Sequence, residues 1–557
     1  MTERIPEADN FIEEFIVEDL KNGKHGGRVH TRFPPEPNGY LHIGHAKAIV
    51  INFEIGKKYG GKTNLRMDDT NPSTEETHFV TNIENDLRWL GYEWEGETLY
   101  ASDYFGELYE FALRLIDKGL AYVDDSTVEE IAQQKGDIDR PGTNSPFRDR
   151  SITENRDLFE RMKAGEFPDG SKVLRAKIDM AHPNLLLRDP VLYRIKHEAH
   201  HRTGDAWCIY PLYDFAHGQS DSIEGITHSL CSLEFRHHRD LYNWLIEALE
   251  IFPSRQIEFA RMNVDYLITS KRKLKKLVEE GIVAGWDDPR MGTLAGMRRK
   301  GYPPLALRNF CLRTGVTKRD NQQEYDLLEH NVREVLNDTA DRYMAVLDPV
   351  KLVLTNYPAD QVEMLTAERQ PETEGSPALT EEALPFGKEL WVEREDYQKE
   401  PQNRKYFRLA PGKDVRLKSA YIIHVSGHEE DADGVVTQIN ATYYPESRSG
   451  NDTSGVSAKG TIHWVAVREA IDLEVREYDK LFTDPTPMDH EDRDFLEFIN
   501  PSSLQILAAK GEPALAKAQP GDTFQFLRKG YYTADPDGTP GKPVFNLTVG
   551  LKSGWKG

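Results

Sequence analysis

The chain has 557 residues, with 70 Lys or Arg against 93 Asp or Glu, so its formal net charge is −23. Its mean hydropathy is −0.63 and its apolar runs are short, which excludes a membrane-spanning helix, because such a helix needs about 20 apolar residues. The acidic start, Met1 to Glu7, lacks an apolar core, so we expect no secretory signal and a cytoplasmic protein. Three widely separated cysteines exclude a disulfide framework and a Cys-rich zinc site.

An acidic chain is a poor candidate for binding nucleic acid, because neutralising phosphates requires clustered Lys and Arg. The charge is unevenly distributed, however, since residues 261–320 hold 14 Lys or Arg and 6 Asp or Glu. A solvated helical face is the commoner meaning of such a run. The alternative is a phosphate-binding surface, which the basic runs at 271–276 and 298–300 would suit.

The length predicts roughly three to five packed units, and the predicted elements change in class along the chain. The first four form a β-α-β-α series, which predicts a parallel sheet with crossover helices: a strand at 28–33, a helix at 43–59, a strand at 62–67 and a helix at 77–90. Helical periodicity dominates from about 271 to 345. Short alternating runs then predict antiparallel β barrels or sandwiches, at 391–393, 415–417, 421–425 and 435–439.

Turn signals complete this outline. Asp433-Gly434, between the last two of these strands, favours a hairpin turn. The acidic stretches at 367–385 and 446–458 contain Pro, Gly and Ser, so we predict surface loops there.

Residues 56–63, Gly-Lys-Lys-Tyr-Gly-Gly-Lys-Thr, match the phosphate-loop pattern. That loop works only with a strand before it and a helix after it, so that backbone amides and the helix dipole converge on phosphate. The predicted order here is the reverse. We therefore predict a helix C-cap instead of a nucleotide site.

Residues 197–201, His-Glu-Ala-His-His, match the zinc-protease pattern. Such a site needs both histidines on a sustained helix and a third ligand. Residues 191–196 are strand-like, and Thr203-Gly204 interrupts the chain immediately afterwards. We predict a solvated loop and no structural zinc.

The segment between the first predicted strand and the first helix contains His42 and His45, separated by Ile43 and Gly44. Ligands bind at the carboxyl ends of parallel strands, and a helix N-terminus there favours anions. A single histidine at this point is more often a cap or a core residue. Two on the same side of a helix, with a glycine that lets a ligand approach, indicate donors to a phosphate whose charge grows in a transition state.

With residues 268–273, this segment makes the chain resemble the class I aminoacyl-tRNA synthetases, whose two hallmark motifs are written HIGH and KMSKS. Residues 42–45 match the first motif letter for letter, and Ser270-Lys271 match part of the second. Strings along nearly the whole chain are similar to those of the glutaminyl-tRNA synthetase family: 33–47, 66–72, 189–194, 210–215 and 285–291. Glutamyl-tRNA synthetases of the archaeal and eukaryotic type share most of these strings and are the alternative.

Cys231 bears on this choice. In the glutamyl relatives its position is typically an arginine, which would pair with a side-chain carboxylate. A neutral residue would leave a bound glutamate desolvated without a counter-charge, which costs several kcal/mol, whereas a carboxamide needs only hydrogen bonds. The pattern therefore favours glutamine, although the commonest role of a cysteine is that of a small buried core residue.

The resemblance implies that the chain activates L-glutamine with ATP and Mg²⁺ to glutaminyl-adenylate and pyrophosphate, and then transfers glutamine to the 3′-terminal adenosine of tRNA(Gln), as a monomer. It implies catalysis of in-line attack on the α-phosphate by His42, His45, Ser270 and Lys271. It implies further ATP contacts from Glu36, Pro37, Asn38, Ile43, Gly44, Ala46, Lys47, Ala48, Ser232, Arg261, Met262 and Thr269.

For the amino acid, the resemblance implies that Asp68 binds the ammonium group, with glutamine contacts also from Arg32, Tyr213, His217 and Cys231. For tRNA it implies that Ile138 splays the first base pair. Anticodon-loop contacts would come from Arg342, Arg408, Arg416, Gln525 and Arg528, beside a possible stacking surface at Phe407.

The implied architecture is multidomain α/β plus all-β. After an N-terminal extension (1–25), a Rossmann-like catalytic domain (26–100 and 211–270) is interrupted by an acceptor-end-binding insertion (101–210). A helical connecting domain (271–345) and two antiparallel β-barrels that bind the anticodon (346–557) follow.

Two other classes of protein are alternatives. A nucleotidyltransferase that joins small molecules shares the histidine motif, but such chains are far shorter and lack the β region. A non-catalytic tRNA-binding protein would not need intact His42, His45 and Lys271. Both are disfavoured.

Overall fold

The computed structural model describes residues 5–73, 77–370, 381–401, 403 and 405–555. It contains two compact units: Met1–Asn263 with Cys311–Gln322, and Val264–Phe310 with Gln323–Gly557. Among the described residues, no helix is both long and apolar enough to cross a membrane.

The first unit alternates helices and strands. Its helices are α1 (Phe11–Lys21), α2 (Ile43–Lys58), α3 (Thr77–Trp89), α4 (Phe105–Asp117), α5 (Val128–Lys135), α6 (Ile152–Lys163), α7 (Tyr213–Glu224) and α8 (Arg239–Leu249). Its strands are β1 (His30–Phe33), β2 (Lys62–Met67), β3 (Leu99–Tyr100), β4 (Ala121–Asp124), β5 (Val173–Ala176), β6 (Val191–Ile195), β7 (Ile209–Pro211), β8 (His228–Ser232) and β9 (Arg255–Phe259), with β10 (Met262–Val264) at the unit boundary.

The central sheet of this unit is parallel. Strands β1, β2 and β3 pair in that order, and β8 pairs with β9. The Thr227 N–H donates to the His30 carbonyl oxygen at 2.9 Å, which places β8 beside β1. Helix α2 packs on this sheet through Ile51 and Ile55, which share a core cluster with Leu230. The predicted β-α-β-α start and parallel sheet are confirmed, and the carboxyl ends of β1, β2 and β8 lie at one edge.

The phosphate-loop match lies where helix α2 ends. The helix stops at Lys58, Gly60 adopts a left-handed conformation (φ 61°), and β2 begins at Lys62. The prediction of a helix C-cap is confirmed, because no helix N-terminus follows these amides to bind phosphate.

Residues between β3 and α7 form a smaller antiparallel sheet with the order β4-β5-β6-β7. Helices α4 and α6 cover it, and the buried rings of Phe159, Tyr193 and Phe215 fill its core. This sheet is inserted between the strands of the parallel sheet in sequence, and the chain re-enters the parallel region with α7 at Tyr213.

The second unit begins with helices and continues as β structure. The helices in this part of the chain are α9 (Lys271–Glu279), α10 (Leu294–Arg299), α11 (Pro304–Arg313) and α12 (Tyr325–Thr339), as the periodicity from 271 to 345 predicts. The strands are β11 (Asn321–Gln323), β12 (Asp341–Tyr343), β13 (Ala345–Val346), β14 (Pro349–Leu354), β15 (Glu363–Glu368), β16 (Glu381–Phe386), β17 (Glu389–Glu393), β18 (Asp414–Leu417), β19 (Ile422–Glu430), β20 (Val436–Tyr443), β21 (Thr461–Ile462), β22 (Val465–Ala466), β23 (Ile471–Tyr478), β24 (Leu504–Gly511), β25 (Thr523–Phe526), β26 (Gly530–Ala534) and β27 (Val544–Gly550).

Fourteen of these strands form two barrel-like sheets of seven strands each. One has the order β21-β18-β19-β20-β14-β17-β22, and the other has the order β12-β25-β26-β27-β23-β24-β13. Most pairs are antiparallel, as predicted, including the β19–β20 hairpin around Asp433-Gly434. The prediction of antiparallel β-barrels is confirmed, and among the described residues four pairs in these sheets are parallel: β14–β20, β18–β21, β12–β25 and β23–β27.

The two predicted surface loops have different outcomes. At 367–385 both ends are strands, because β15 and β16 pair from Glu363 opposite Phe386 to Glu368 opposite Glu381; residues 371–380 lie outside the described residues. At 446–458 the prediction is confirmed, since the fully described chain there forms only a short 3-10 turn, Pro445–Ser447, before β21.

Candidate functional site

The histidine pair lies at the N-terminus of α2, just beyond β1. His42 is the N-cap, and its Nδ1 accepts a hydrogen bond from the Gly44 N–H at 3.1 Å. The Nδ1 of His45 accepts from the His42 N–H, also at 3.1 Å, and the ring centroids are 3.8 Å apart. Because both Nδ1 atoms accept, each neutral ring carries its proton on Nε2. The helix cap therefore fixes two N–H donors side by side.

The electrostatics keep these rings neutral. Burial lowers the pKa of His45 to about 4. Burial, with the charges of His45 and Arg261, lowers the pKa of His42 well below its ordinary value. A Cβ on Gly44 would lie 3.0 Å from Cε1 of His42, so the glycine keeps the rings in place. Two neutral donors at a helix N-terminus suit an oxyanion, such as a phosphate oxygen.

The other residues with predicted ATP contacts in this unit lie on α2, in the loop before it, at the end of β8 and after β9. Asn38 hydrogen bonds to the Glu36 carboxylate, and Ser232 Oγ donates to Glu234 Oε1 at 2.8 Å. Arg261 also pairs with Glu234, at 3.2 Å, on the exposed surface. Pro37, Ile43, Ala46 and Met262 are buried, and Ala48 is half-buried on α2. Their contacts with ATP stay predictions.

Lys47 is buried on the first turns of α2. Its Nζ donates to the Cys311 carbonyl oxygen at 2.5 Å, to Thr314 Oγ1 at 2.9 Å and to the Gly315 carbonyl oxygen at 2.6 Å. Its three protons are thus used within the fold, and burial lowers its pKa. The amine anchors α2 to residues 311–315.

The residues with predicted glutamine contacts meet at the ends of β1, β2 and β8. Arg32 is fully buried; its Nε donates to Asp221 Oδ1 at 2.9 Å and its Nη1 to the Leu230 carbonyl oxygen at 2.9 Å. Its Nη2 donates to Ser229 Oγ at 2.7 Å and to His217 Nε2 at 2.9 Å. Hydrogen bonds within the protein therefore use most of the N–H groups of this guanidinium.

The charges around Arg32 balance. Arg66 donates to Asp221 Oδ1 at 2.8 Å and to Glu224 Oε1 at 2.9 Å. Burial alone would raise the pKa of Asp221, but the charges of Arg32 and Arg66 outweigh it and hold this pKa well below its ordinary value. Two guanidinium groups and two carboxylates leave this cluster without net charge.

Cys231 is buried on β8 beside Arg32. Its Sγ lies 3.5 Å from Nη2 of Arg32 and 3.7 Å from Nε2 of His217. Burial raises the pKa of the thiol, so it stays neutral. Cys231 is therefore both a buried residue and a neutral member of the predicted amino-acid pocket.

His217 and Tyr213 lie on the first turns of α7, with their rings stacked 4.8 Å apart. Burial lowers the pKa of His217 to about 3, and its Nε2 accepts from Arg32, so its proton lies on Nδ1. In the part of the chain that the structure describes, this buried Nδ1 has no hydrogen-bond partner. A buried donor in this position suits the oxygen of a bound ligand.

Asp68 follows β2 at the same edge of the sheet. It is 7% exposed, its N–H donates to the Pro35 carbonyl oxygen at 2.9 Å, and its Oδ1 accepts from Thr70 Oγ1 at 3.4 Å. The edge therefore combines a carboxylate, a cluster without net charge and, on the adjacent helix, two neutral N–H donors.

Sequence reasoning missed Asp221, Ser229, Arg66 and Glu224 as parts of this pocket. The sequence held a signal for two of them. Asp221 comes four residues after His217 on α7, and therefore on the same helix face. Arg66 lies within the string 66–72 that carries the resemblance.

The His-Glu-Ala-His-His segment requires a correction. His197 is exposed and pairs with Asp169, as predicted for a solvated loop. His200 is fully buried, however, and forms a cluster with His201 and Asp69 in which ligand atoms lie within 4.8 Å of one another. The prediction of a solvated loop is wrong for His200, because this buried side chain forms a hydrogen bond to the Asp69 carbonyl oxygen, just after β2.

The KMSKS-like residues lie in the second unit. Ser270 is the N-cap of α9 and Lys271 is exposed in its first turn. Ile268, just before them, is buried in a cluster with Leu274 and Phe495. This packing fixes the start of α9 and presents Thr269, Ser270 and Lys271 at its N-terminal end.

Several cations of the basic stretch at 261–320 pair with carboxylates or are buried. In the second unit, Arg290 pairs with Asp288, and Arg299 pairs with Asp287, Asp535 and Asp537. Lys300 is buried, with its Nζ 3.0 Å from the Tyr325 hydroxyl. Lys271, Arg272 and Lys275 are exposed on α9, where Lys275 pairs with Glu279 at 3.4 Å. Phosphate binding by this stretch stays a prediction.

The predicted tRNA contacts include both exposed side chains and paired ones. Ile138 is 84% exposed on the loop after α5, and Phe407 is 42% exposed. Arg408 and Arg528 both pair with the buried Asp396, at 3.0 Å and 2.6 Å. Arg416 pairs with Asp452, Gln525 donates to the Tyr531 hydroxyl at 3.1 Å, and Arg342 lies half-buried on β12. Their tRNA contacts stay predictions.

Nearly the whole chain matches family models of known proteins. Residues 28–338 match a family model described as the catalytic domain of class I tRNA synthetases (E and Q). Residues 340–444 and 461–535 match two models described as anti-codon binding domains of the same synthetases.

Curated relatives are similar over their full lengths. The chain is 52% identical over 550 residues to the glutamine–tRNA ligase of Pseudomonas syringae pv. tomato, which covers 98% of this chain and 95% of the relative. It is 53% identical over 551 residues to the glutamine–tRNA ligase of Clostridium perfringens, which covers 99% of each. It is also 53% identical over 549 residues to that of Rhodopirellula baltica, with 98% of this chain and 90% of the relative covered.

Proposed function

This chain belongs to the class I tRNA synthetases (E and Q), and from this premise we propose that it is a glutamine–tRNA ligase. It activates L-glutamine with ATP and transfers the glutaminyl group to tRNA(Gln) for protein synthesis. The relatives of about half-identical sequence support this activity and do not favour the glutamyl alternative. We place it in the cytoplasm and expect it to act as a monomer.

The single observation that carries the choice of glutamine is the neutral cluster around Arg32. Asp221 occupies the guanidinium on one side, and Ser229, His217 and the Leu230 carbonyl oxygen occupy the rest. Cys231 adds no charge. A glutamate carboxylate would enter this pocket without a counter-charge, whereas a carboxamide oxygen can accept from the His217 Nδ1–H.

In the first half-reaction, the carboxylate of glutamine attacks the α-phosphate of ATP and pyrophosphate leaves. Asp68 holds the ammonium group, and the Tyr213 ring borders the side chain. The Nε2–H donors of His42 and His45 hydrogen bond to phosphate oxygens as their charge grows. Mg²⁺ would enter with the nucleotide and would supply positive charge for the departing pyrophosphate. Lys271 supplies a further cation for the phosphates.

In the second half-reaction, a hydroxyl of the terminal ribose of tRNA attacks the activated carbonyl, and AMP leaves. The antiparallel sheet inserted between β3 and α7, with Ile138 exposed on one of its loops, is proposed to bind the acceptor end. The two barrel-like sheets, through Arg342, Arg408, Arg416, Gln525 and Arg528, are proposed to bind the anticodon. The division into catalytic, insertion, connecting and barrel domains follows the same proposal.

A charging assay tests this function. Purified protein, ATP, Mg²⁺ and total tRNA are incubated with labelled glutamine or, separately, labelled glutamate. We expect acid-precipitable label with glutamine, dependent on ATP and tRNA. Charging with glutamate alone would overturn the proposal, and His42→Ala is the inactive reference.

A further inference from the structure

Asp69, the residue after the proposed ammonium-binding Asp68, is held by a group of side chains with no role in the chemistry above. Its carboxylate accepts from the Ser102 N–H at 2.8 Å, from Ser102 Oγ at 2.6 Å and from His201 Nε2 at 3.1 Å. The Asp69 side chain is completely buried. These contacts fix the direction in which Asp69 points from the end of β2.

His200 holds the backbone of the same residue. Its Nε2 lies 2.7 Å from the Asp69 carbonyl oxygen. Its Nδ1 accepts from the N–H groups of Arg202 at 3.2 Å and Thr203 at 3.3 Å, so the ring proton lies on Nε2 and is donated to that carbonyl. The His200 side chain is also completely buried.

Asp68 is therefore fixed from both sides. Its own N–H donates to the Pro35 carbonyl oxygen at 2.9 Å, and the carbonyl of the next residue is held by His200. The backbone torsions between these two hydrogen bonds set the position of the Asp68 Cβ, and hence the carboxylate. A carboxylate that must meet an ammonium group gains from such preorganisation.

The spacing of Asp69, His200 and His201 also fits a metal site, since one ligand atom of each lies within 4.8 Å of the others. The hydrogen bonds favour a different role. The proton on His200 Nε2 and the two backbone donors at Nδ1 leave this ring no lone pair for a metal. The guanidinium of Arg202 donates to Ser102 Oγ at 2.9 Å, which places a cation next to the cluster.

We propose that Asp69, His200 and His201 are positioning residues for glutamine, which act by orienting Asp68. This inference rests on the proposed function, in which Asp68 binds the substrate ammonium. His200 and His201 belong to the segment between β6 and β7 of the inserted sheet, so that sheet also supports the amino-acid site.

The test measures KM for glutamine and for ATP separately, in aminoacylation with saturating tRNA. For His200→Ala we expect KM for glutamine to rise about tenfold or more, with KM for ATP within about twofold of the parent. His200→Gln, whose amide can donate in place of Nε2, should restore most of the loss. His197→Ala is the matched control from the same segment, since its side chain is exposed and bonds Asp169; we expect parent values.

Ser102→Ala removes one hydrogen bond to Asp69 and provides a second test if His200→Ala does not fold. It should raise KM for glutamine selectively, and Ser102→Thr should restore it. The inference is overturned if folded variants keep the parent KM for glutamine, if KM for ATP rises equally, or if the purified parent holds stoichiometric zinc that His200→Ala lacks. A parent protein that does not charge tRNA with glutamine would instead refute the proposed function.

Discussion

Arg32 and Asp221 form a completely buried ion pair, with Nε of Arg32 2.9 Å from Oδ1 of Asp221. The two residues lie on β1 and α7 and are 189 positions apart in sequence. The Asp221 carboxylate neutralises the charge of Arg32. The pocket can therefore contain an arginine and still select an uncharged amino acid.

Asp221→Asn should damage both stability and specificity. It leaves Arg32 and Arg66 with only the Glu224 carboxylate between them, so we expect a loss of about 3–5 kcal/mol in the free energy of unfolding. The added positive charge should also reduce the preference for glutamine over glutamate. Urea unfolding and the ratio of kcat/KM values measure the two effects.

Asp117→Asn is the matched control for that variant. It breaks the Arg156–Asp117 pair, whose side chains are 41% and 50% exposed, so the expected loss is below about 1 kcal/mol. Equal losses in the two variants would contradict the importance assigned to the buried pair.

Removing the Nε2 donor of His45 should slow the first half-reaction. For His45→Ala we expect ATP/pyrophosphate exchange, assayed with tRNA present, to fall about 10²-fold. His45→Asn can still accept from the His42 N–H through Oδ1 and so keep the helix cap, but its shorter side chain places no N–H at the position of Nε2. We expect the same kinetic loss with a parent-like melting temperature, and full exchange activity in either variant would remove His45 from the mechanism.

The pH dependence follows from the depressed pKa values of these histidines. Because burial lowers the pKa of His45 to about 4, and that of His42 well below its ordinary value, both stay neutral from pH 6 to 8. The exchange rate should therefore show no acid limb near pH 6.5 that depends on either ring. A limb there that His45→Asn abolishes would contradict the account.

The same shift makes stability depend on pH. The unfolded chain binds a proton at His45 near pH 6.5, whereas the folded chain does so only near pH 4. The contribution of His45 to the free energy of unfolding is therefore complete above pH 6.5 and declines as the pH falls towards 4. Melting temperatures measured across this window should fall less steeply for His45→Asn than for the parent. Parallel curves would show that His45 does not contribute.

Zinc removal should not affect the enzyme. Treatment with a chelator, followed by restoration of Mg²⁺, should return full charging activity, because hydrogen bonds occupy both nitrogens of His200. Activity that returns only after added zinc would instead assign a metal to His200, His201 and Asp69.

Local signals were sufficient to predict the start of the fold and the histidine pair. Strand and helix periodicity, together with the cap around His42, involve residues only a few positions apart. The ion pair of Arg32, by contrast, depends on the packing of α7 against β1. Likewise, the turn signals at Thr203-Gly204 suggested a solvated loop, whereas His200 bonds to Asp69, 131 positions earlier.

The β region shows the same division. Alternating polarity predicted the strands, and Asp433-Gly434 predicted the hairpin, because both are local properties. Alternation does not distinguish parallel from antiparallel neighbours, so the parallel pairs such as β14 with β20 could not be predicted. The partners of Arg408 and Arg528, which meet at Asp396, are likewise set by tertiary packing.

The most direct test of the central claim is the ratio of kcat/KM for glutamine to that for glutamate, measured with one preparation of tRNA(Gln). A neutral pocket that hydrogen bonds a carboxamide and offers no counter-charge should give a ratio of at least about 10³. A ratio near one, or a preference for glutamate, would contradict the claim.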